Sequence, residues 1–145
     1  MGLLTSFSLS SSGLAVQQKR LDVAAENLAN MNSTRTPEGG PYKEKEVVVS
    51  SMPLGFDEGL TTLLKKDVVQ GAAITQIIQS NKPARVVYDP SHPDADPDGN
   101  VSYPNISGFE QMIDIQTASK AYEANVTVFN SAKTMMMRTL DLGGV

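Results

Sequence analysis

The sharpest chemical pattern in the chain is Asp94-Ala95-Asp96-Pro97-Asp98-Gly99. Carboxylates at alternate positions followed by glycine are how a calcium loop begins: the oxygens converge on the ion and the glycine makes the sharp turn. Here the pattern stops halfway. Asn105 stands where such a loop needs its bidentate glutamate, and Pro90, Pro93 and Pro97 exclude an entering helix. The run therefore reads as an acidic turn that uses Asp, Pro and Gly for their backbone geometry. His92 is the single histidine, so it cannot build a multi-histidine metal site, and it reads as a turn residue held by local hydrogen bonds. Neither a Gly-x-Ser-x-Gly elbow nor a phosphate-cradling glycine loop occurs, and the adjacent acids Asp57 and Glu58 read as solvated surface. With no cysteine there are no disulfides, thiolate nucleophiles or Cys-based zinc sites. No catalytic, cofactor-binding or metal-binding set is expected, and the chain is not expected to be an enzyme. The calcium turn survives as a second reading, a calcium-responsive helical adaptor that binds the ion through Asp94 to Asn105.

Composition narrows the partners. The chain has 145 residues, 16 acids against 12 Lys and Arg, and a net charge of -4. Its basic residues are scattered singly or in pairs, so no stripe could neutralise phosphates, and nucleic acid is not an expected partner. Aromatics make up 6% of residues and Trp is absent, which predicts a thin core. No segment approaches the roughly 20 apolar residues of a membrane helix, and no basic n-region precedes an apolar core. Direct membrane insertion is not expected, and export, if it occurs, is expected without a cleaved signal.

These residues need elements to position them. From about Thr5 to Asn32 there is no proline and apolar residues recur at helical spacing, which predicts a helix of roughly 25 residues, near 40 Å. Its Ser-rich opening, Ser8 to Gly13, has weak helix propensity and is expected to fray. Pro37, Gly39, Gly40 and Pro41 end the helix. The period then changes. Lys43 to Val49, Ala73 to Ile78, Ala84 to Tyr88 and Val101 to Tyr103 read as strands of a small antiparallel sheet. The last two pair across the Asp89 to Asn100 turns, and Phe56 to Val68 reads as a loop with a short helix. Ser107 is the expected N-cap of a second helix, Gly108 to Leu142 and roughly 50 Å long, with Glu110 completing a capping box. Gly143 and Gly144 supply its stop. The fold class is α+β. Residues 1–33 form an N-terminal helix, 34–106 a β-rich outer domain and 107–145 a C-terminal helix, the two helices making one discontinuous antiparallel coiled-coil domain.

Both helices carry an apolar stripe at seven-residue spacing: Phe7, Leu14, Leu21 and Leu28 on the first, Ile115, Tyr122, Phe129 and Met136 on the second, widened by Met112, Val126 and Leu140. A hairpin closing on itself has one stripe's width to bury. Leu3, Val16, Ala25 and Ile113 extend apolar surface beyond it, and Asn27, Asn30, Asn32, Asn125 and Asn130 place amides where they could fix register between neighbours. Met135, Met136 and Met137 point in three directions around the helix, and methionine suits contacts that differ between copies. The expected packing residues between subunits are Phe7, Leu14, Leu21, Leu28, Asn27, Asn30, Ile115, Tyr122, Val126, Phe129, Met136 and Leu140.

Four stretches carry a family resemblance: Ser12-Gly13-Leu14 through Glu26-Asn27-Leu28-Ala29-Asn30-Met31-Asn32, Thr34 to Tyr42, Tyr88 to Asp96 with Tyr103-Pro104-Asn105, and Ala121 to Val126 with Asp141-Leu142-Gly143. In these the chain resembles the bacterial flagellar axial protein family, and within it the proximal-rod subunits. The resemblance covers nearly the whole chain except about residues 50–71. It implies a non-enzymatic subunit without cofactors, exported through the flagellar type III apparatus into the periplasmic rod. It also implies terminal helices that form a coiled coil packed against other rod subunits and copies of the same chain, transmitting motor torque.

Overall fold

A computed structural model describes residues 3–53 and 69–143. Along the described residues the elements run helix, two antiparallel strand pairs, helix. Helix α1 is Leu3–Ala29, strands β1 Lys45–Pro53 and β2 Gln70–Gln79 form one ribbon, β3 Arg85–Tyr88 and β4 Asn100–Tyr103 a second, and helix α2 is Gly108–Gly143. The α+β class holds.

Helix α1 starts two residues earlier than expected and ends three earlier. Asn30 ends it: its backbone N–H donates to the carbonyls of both Glu26 and Asn27, and its side-chain Nδ2 donates to the Glu26 carbonyl at 2.9 Å. Residues Asn30 to Asn32 are a turn. The Ser-rich opening, expected to fray, is helical throughout. Ser12 Oγ donates to the Leu9 carbonyl at 2.8 Å and accepts the Ala72 N–H at 3.3 Å, and Ser10 is buried, so packing overrides weak propensity.

The strands appear where alternation placed them, but as two separate antiparallel ribbons instead of one sheet. β1 pairs with β2 from Lys45 opposite Gln79 to Pro53 opposite Gln70, with a bulge at Val48/Val49 that leaves Thr75 as the extra residue. The expected loop and short helix at Phe56 to Val68 lie outside the described residues. β3 pairs with β4 from Arg85 opposite Tyr103 to Tyr88 opposite Asn100. Between them the acidic run folds as successive turns, and Gly99 takes φ +80° with Tyr88 and Pro90 packed where a Cβ would stand.

Ser107 caps α2, its Oγ accepting the Glu110 N–H at 3.3 Å. The two helices lie antiparallel along their lengths. Leu28 and Met31 meet Gly108, Asn27 meets Gln111, Arg20 meets Asp114, Gly13 meets Asn125 and Phe7 meets Phe129. Continuing that alignment sets Leu3 level with about residue 133, so α2 runs on for about ten residues, roughly 15 Å, past the start of α1.

The core is thin, as composition implied. Among the described residues its buried apolar members are Val16, Val23, Ala24, Val101, Ala118 and Ala132. Ser12, Val16, Val23 and Asn27 share one face of α1 by their spacing. Hydrogen bonds tie the two ends of that face to β2 and β1, so the first ribbon covers it. Val16, read from sequence as surplus apolar surface, is therefore part of the core.

Candidate assembly surface and the polar hub behind it

At the closed end of the helix pair a polar network lies between α1, α2 and the start of β1. Asn27 is its centre, with only 2% of its surface exposed. Its Nδ2 donates to the Lys45 carbonyl at 2.9 Å and to Gln111 Oε1 at 3.0 Å. Its Oδ1 accepts the Lys45 backbone N–H at 2.9 Å and the Tyr42 hydroxyl at 3.1 Å. Every hydrogen-bonding position of the amide is thereby filled. Lys45 is gripped through both backbone groups, as a neighbouring strand would grip it, so the side chain of α1 starts the ribbon.

The network continues beyond Gln111. Gln111 Nε2 donates to Glu44 Oε1 at 2.9 Å, and Lys82 Nζ donates to Glu44 Oε2 at 2.9 Å. Glu44 is buried and Lys82 half exposed, so the carboxylate leaves water with two donors in place. The hydrogen bond and the charge of Glu44 push the Lys82 ammonium above its ordinary range. Burial, with the Glu26 carboxylate beside it, pushes the Tyr42 hydroxyl up to about 12.

From its place beside the stripe Asn27 is expected to serve neighbouring subunits. The structure uses it wholly inside the chain. Asn30 is likewise engaged locally, accepting Ser33 Oγ at 3.0 Å while closing the helix. Gln111, Glu44, Tyr42, Lys45 and Lys82 were not singled out, because what joins them is contact between residues up to 84 apart in sequence.

The two apolar stripes run along a shared seam as far as Phe129, and Met136 lies beyond it on the overhang. The Phe7 and Phe129 rings meet edge to face, with centroids 4.8 Å apart. Yet Phe7, Leu14, Leu21, Leu28, Ile115, Tyr122, Phe129 and Met136 are all only partly buried, as is Val126. The tightest positions belong to smaller or polar residues, Ala24 on α1 and Gln111, Ala118 and Ala132 on α2. Two helices cannot enclose side chains as long as Leu and Phe, so each keeps an uncovered flank. Leu140, at 68% exposure, lies on the overhang with Met135, Met137 and Leu142, all exposed. Near the other end of α2, Phe109, Met112 and Ile113 are exposed as well.

Within the acidic turn Asp89, Asp94 and Asp96 are engaged inside the chain. Asp94 accepts Thr34 Oγ1 at 2.8 Å and faces Arg35, Asp96 Oδ1 accepts the N–H groups of Asp98 and Asn100, and Asp89 Oδ1 accepts from Ser91. The Ser91 bonds hold the Asp89 carboxyl below its usual range. These carboxylates cap turns and tie the second ribbon to the chain leaving α1. Nothing in this arrangement supports the calcium adaptor.

Residues 8–35 match the family described as flagella basal body rod protein, and residues 98–142 match the flagellar basal body rod FlgEFG protein C-terminal family. The flagellar basal-body rod protein FlgC of Salmonella typhimurium is 41% identical over 145 residues, 99% of each chain. The chain belongs to the FlgC family of flagellar basal-body rod proteins. The FlgC of Borreliella burgdorferi is 37% identical over 97% of each chain, and that of Bacillus subtilis 35% identical over 95% of this chain and 96% of its own. Within this FlgC-family chain the two matched segments cover most of α1 with its exit turn, and β4 with α2. Asn27 and Gln111 fall inside them, whereas Tyr42, Glu44 and Lys82 fall between.

Proposed function

We propose that the chain is a structural subunit of the proximal rod of the bacterial flagellar basal body, part of the shaft that transmits motor torque. The observation that carries this is likeness to FlgC proteins from distant bacteria along nearly the full length of both chains. In this reading residues 1–33 and 107–145 form one discontinuous inner domain, with α1 and α2 wound as an antiparallel coiled coil, and residues 34–106 face outward. The half-covered seam and the apolar overhang of α2 support it. Long side chains with one bare flank, and a helix end apolar on most sides, lose least in water when further helices close around them. A shaft grows through heterologous contacts that do not close into a ring, so each subunit must show different surfaces to successive neighbours. The partners are other rod subunits and copies of the same chain, reached after export by the flagellar type III apparatus. The role is mechanical, without catalysis, metal or cofactor.

Replacing Leu21 and Phe129 together by Asp charges the seam and is expected to abolish rod assembly and swimming. Leu140→Asp charges only the overhang, so it is expected to leave the helical signal of the chain unchanged while still blocking assembly. Normal swimming in either strain overturns the reading. Calorimetry with millimolar calcium is expected to give no saturable heat, and a stoichiometric transition would revive the adaptor.

A further inference from the structure

We propose that the buried amide pair Asn27 and Gln111, seconded by the close approach of Gly13 and Asn125, selects one helix register out of several that the apolar seam alone accepts.

The seam is periodic on both sides. Phe7, Leu14 and Leu21 stand level with Phe129, Tyr122 and Ile115 at seven-residue steps, while Leu28 lies against Gly108 and Met136 continues the second stripe past the start of α1. Sliding α2 by one heptad, about 10 Å, brings Phe129 opposite Leu14, Tyr122 opposite Leu21 and Ile115 opposite Leu28. Large apolar groups still meet large apolar groups. Burial of hydrocarbon is non-directional, so it distinguishes these alignments poorly.

Polar contacts do distinguish them. Asn27 Nδ2 reaches Gln111 Oε1 at 3.0 Å. A slide in one direction sets Ala118 against Asn27 and carries Gln111 past the end of α1. The opposite slide sets Asn27 against the segment preceding Ser107 and Gln111 against Arg20. Either way a buried amide loses its partner, in a place where its remaining bonds to Lys45 and Tyr42 hold it fast. The second contact lies two heptads away on each helix. A Cβ on Gly13 would stand 2.9 Å from Asn125 Nδ2, so the Asn125 amide lies directly against α1 and would have to turn aside for any larger residue there. After a one-heptad slide Asn125 would meet Arg20 or Ser6, which carry that Cβ. A polar group buried in an otherwise apolar seam is the best-attested means of fixing register, and its worth is specificity more than stability.

The device acts within the single chain and stands independently of what the chain joins. It sets how much of α2 stays bare, because a slide of one heptad would change the length of the overhang by most of its extent.

The absence of native cysteine allows clean spin labelling. Gln18→Cys and Thr134→Cys place two nitroxides at exposed helix positions, and dipolar distance measurement on labelled full-length chain diluted into unlabelled chain reads their separation. The otherwise unaltered chain is expected to give one narrow distance. Asn27→Leu with Gln111→Leu is expected to add a second population displaced by about 10 Å. Gln111→Leu alone, which leaves the Asn27 contacts to Lys45 and Tyr42 intact, is expected to add the same population in smaller amount. A single unchanged distance in both variants overturns the proposal, as does a broad or double distribution in the unaltered chain. Should the double variant lose its helical circular dichroism, Gln111→Leu decides by the same criteria. Loss of helix in both also overturns the proposal, since the amides would then hold the fold rather than choose among registers.

Discussion

Asn27 shows how much one side chain can organise when its environment is dry. Truncation to Ala strands Gln111 in a buried site, where an unmet group costs about 1–3 kcal/mol, and loosens the Lys45 backbone groups and the Tyr42 hydroxyl, which are part-buried and regain some hydrogen bonding from water. Asn27→Ala is therefore expected to lower unfolding free energy by about 3 kcal/mol in urea titration, where a surface Asn30→Ala costs under about 1 kcal/mol. Gln17 is the opposite case: its buried Oε1 has no hydrogen-bond partner among the described residues. Gln17→Leu removes that orphaned acceptor and is expected to raise the unfolding midpoint, by about 1 kcal/mol in free energy. The alkaline limb reports the same hub. Tyr42 is raised from 10.0 to about 12, so the fold favours the neutral hydroxyl; that stabilisation is complete below pH 10 and fades as pH climbs to 12. Lys82 is raised above 10.5, so its contribution is likewise full below that value and lost at higher pH. Stability is expected to fall above pH 10, and Tyr42→Phe to flatten the fall between 10 and 12. Asn27 is a candidate in the sequence because an amide beside an apolar stripe can fix register. Its partners stayed hidden, because no local pattern tells a lysine backbone or a glutamine on a distant helix that it will meet that amide.

The elements were legible to different depths. Long proline-free periodicity and a Ser107 cap located both helices, and β-branched runs located the four strands, because these signals are local. That the strands make two ribbons instead of one sheet is a tertiary outcome. The first ribbon is tied to α1 through Ser12 and Asn27, while the second is tied by Thr34 and Arg35 to Asp94. The stripes show their period in the sequence but not their depth: alanines and an amide hold the tightest places on the seam, where the helices approach closely. An isolated two-stranded ribbon is marginal, so the β3 to β4 ribbon depends on its turn. Gly99→Ala forces a left-handed residue to carry a Cβ 2.9 Å from Tyr88 Cε2. It is expected to speed amide hydrogen exchange of Val86 to Tyr88 and Val101 at least tenfold, leaving α1 and α2 unchanged.

As a whole, the molecule keeps a small interior for its length. Among the described residues three of the six buried apolar ones are alanines, and much of the hydrocarbon lies on bare flanks. The isolated chain is expected to be weakly stable, under about 5 kcal/mol by urea titration, and to gain stability on joining its assembly through mass action. A free chain as stable as an ordinary domain would show that the flanks need no cover. The stepped end of the helix pair then takes on an engineering meaning. Subunits with flush ends would meet across a single plane, where shear and bending concentrate. With one helix projecting about 15 Å past the other, successive subunits would join as carpenters join long timbers, by a lap joint, so that no single cross-section of the shaft is all seam.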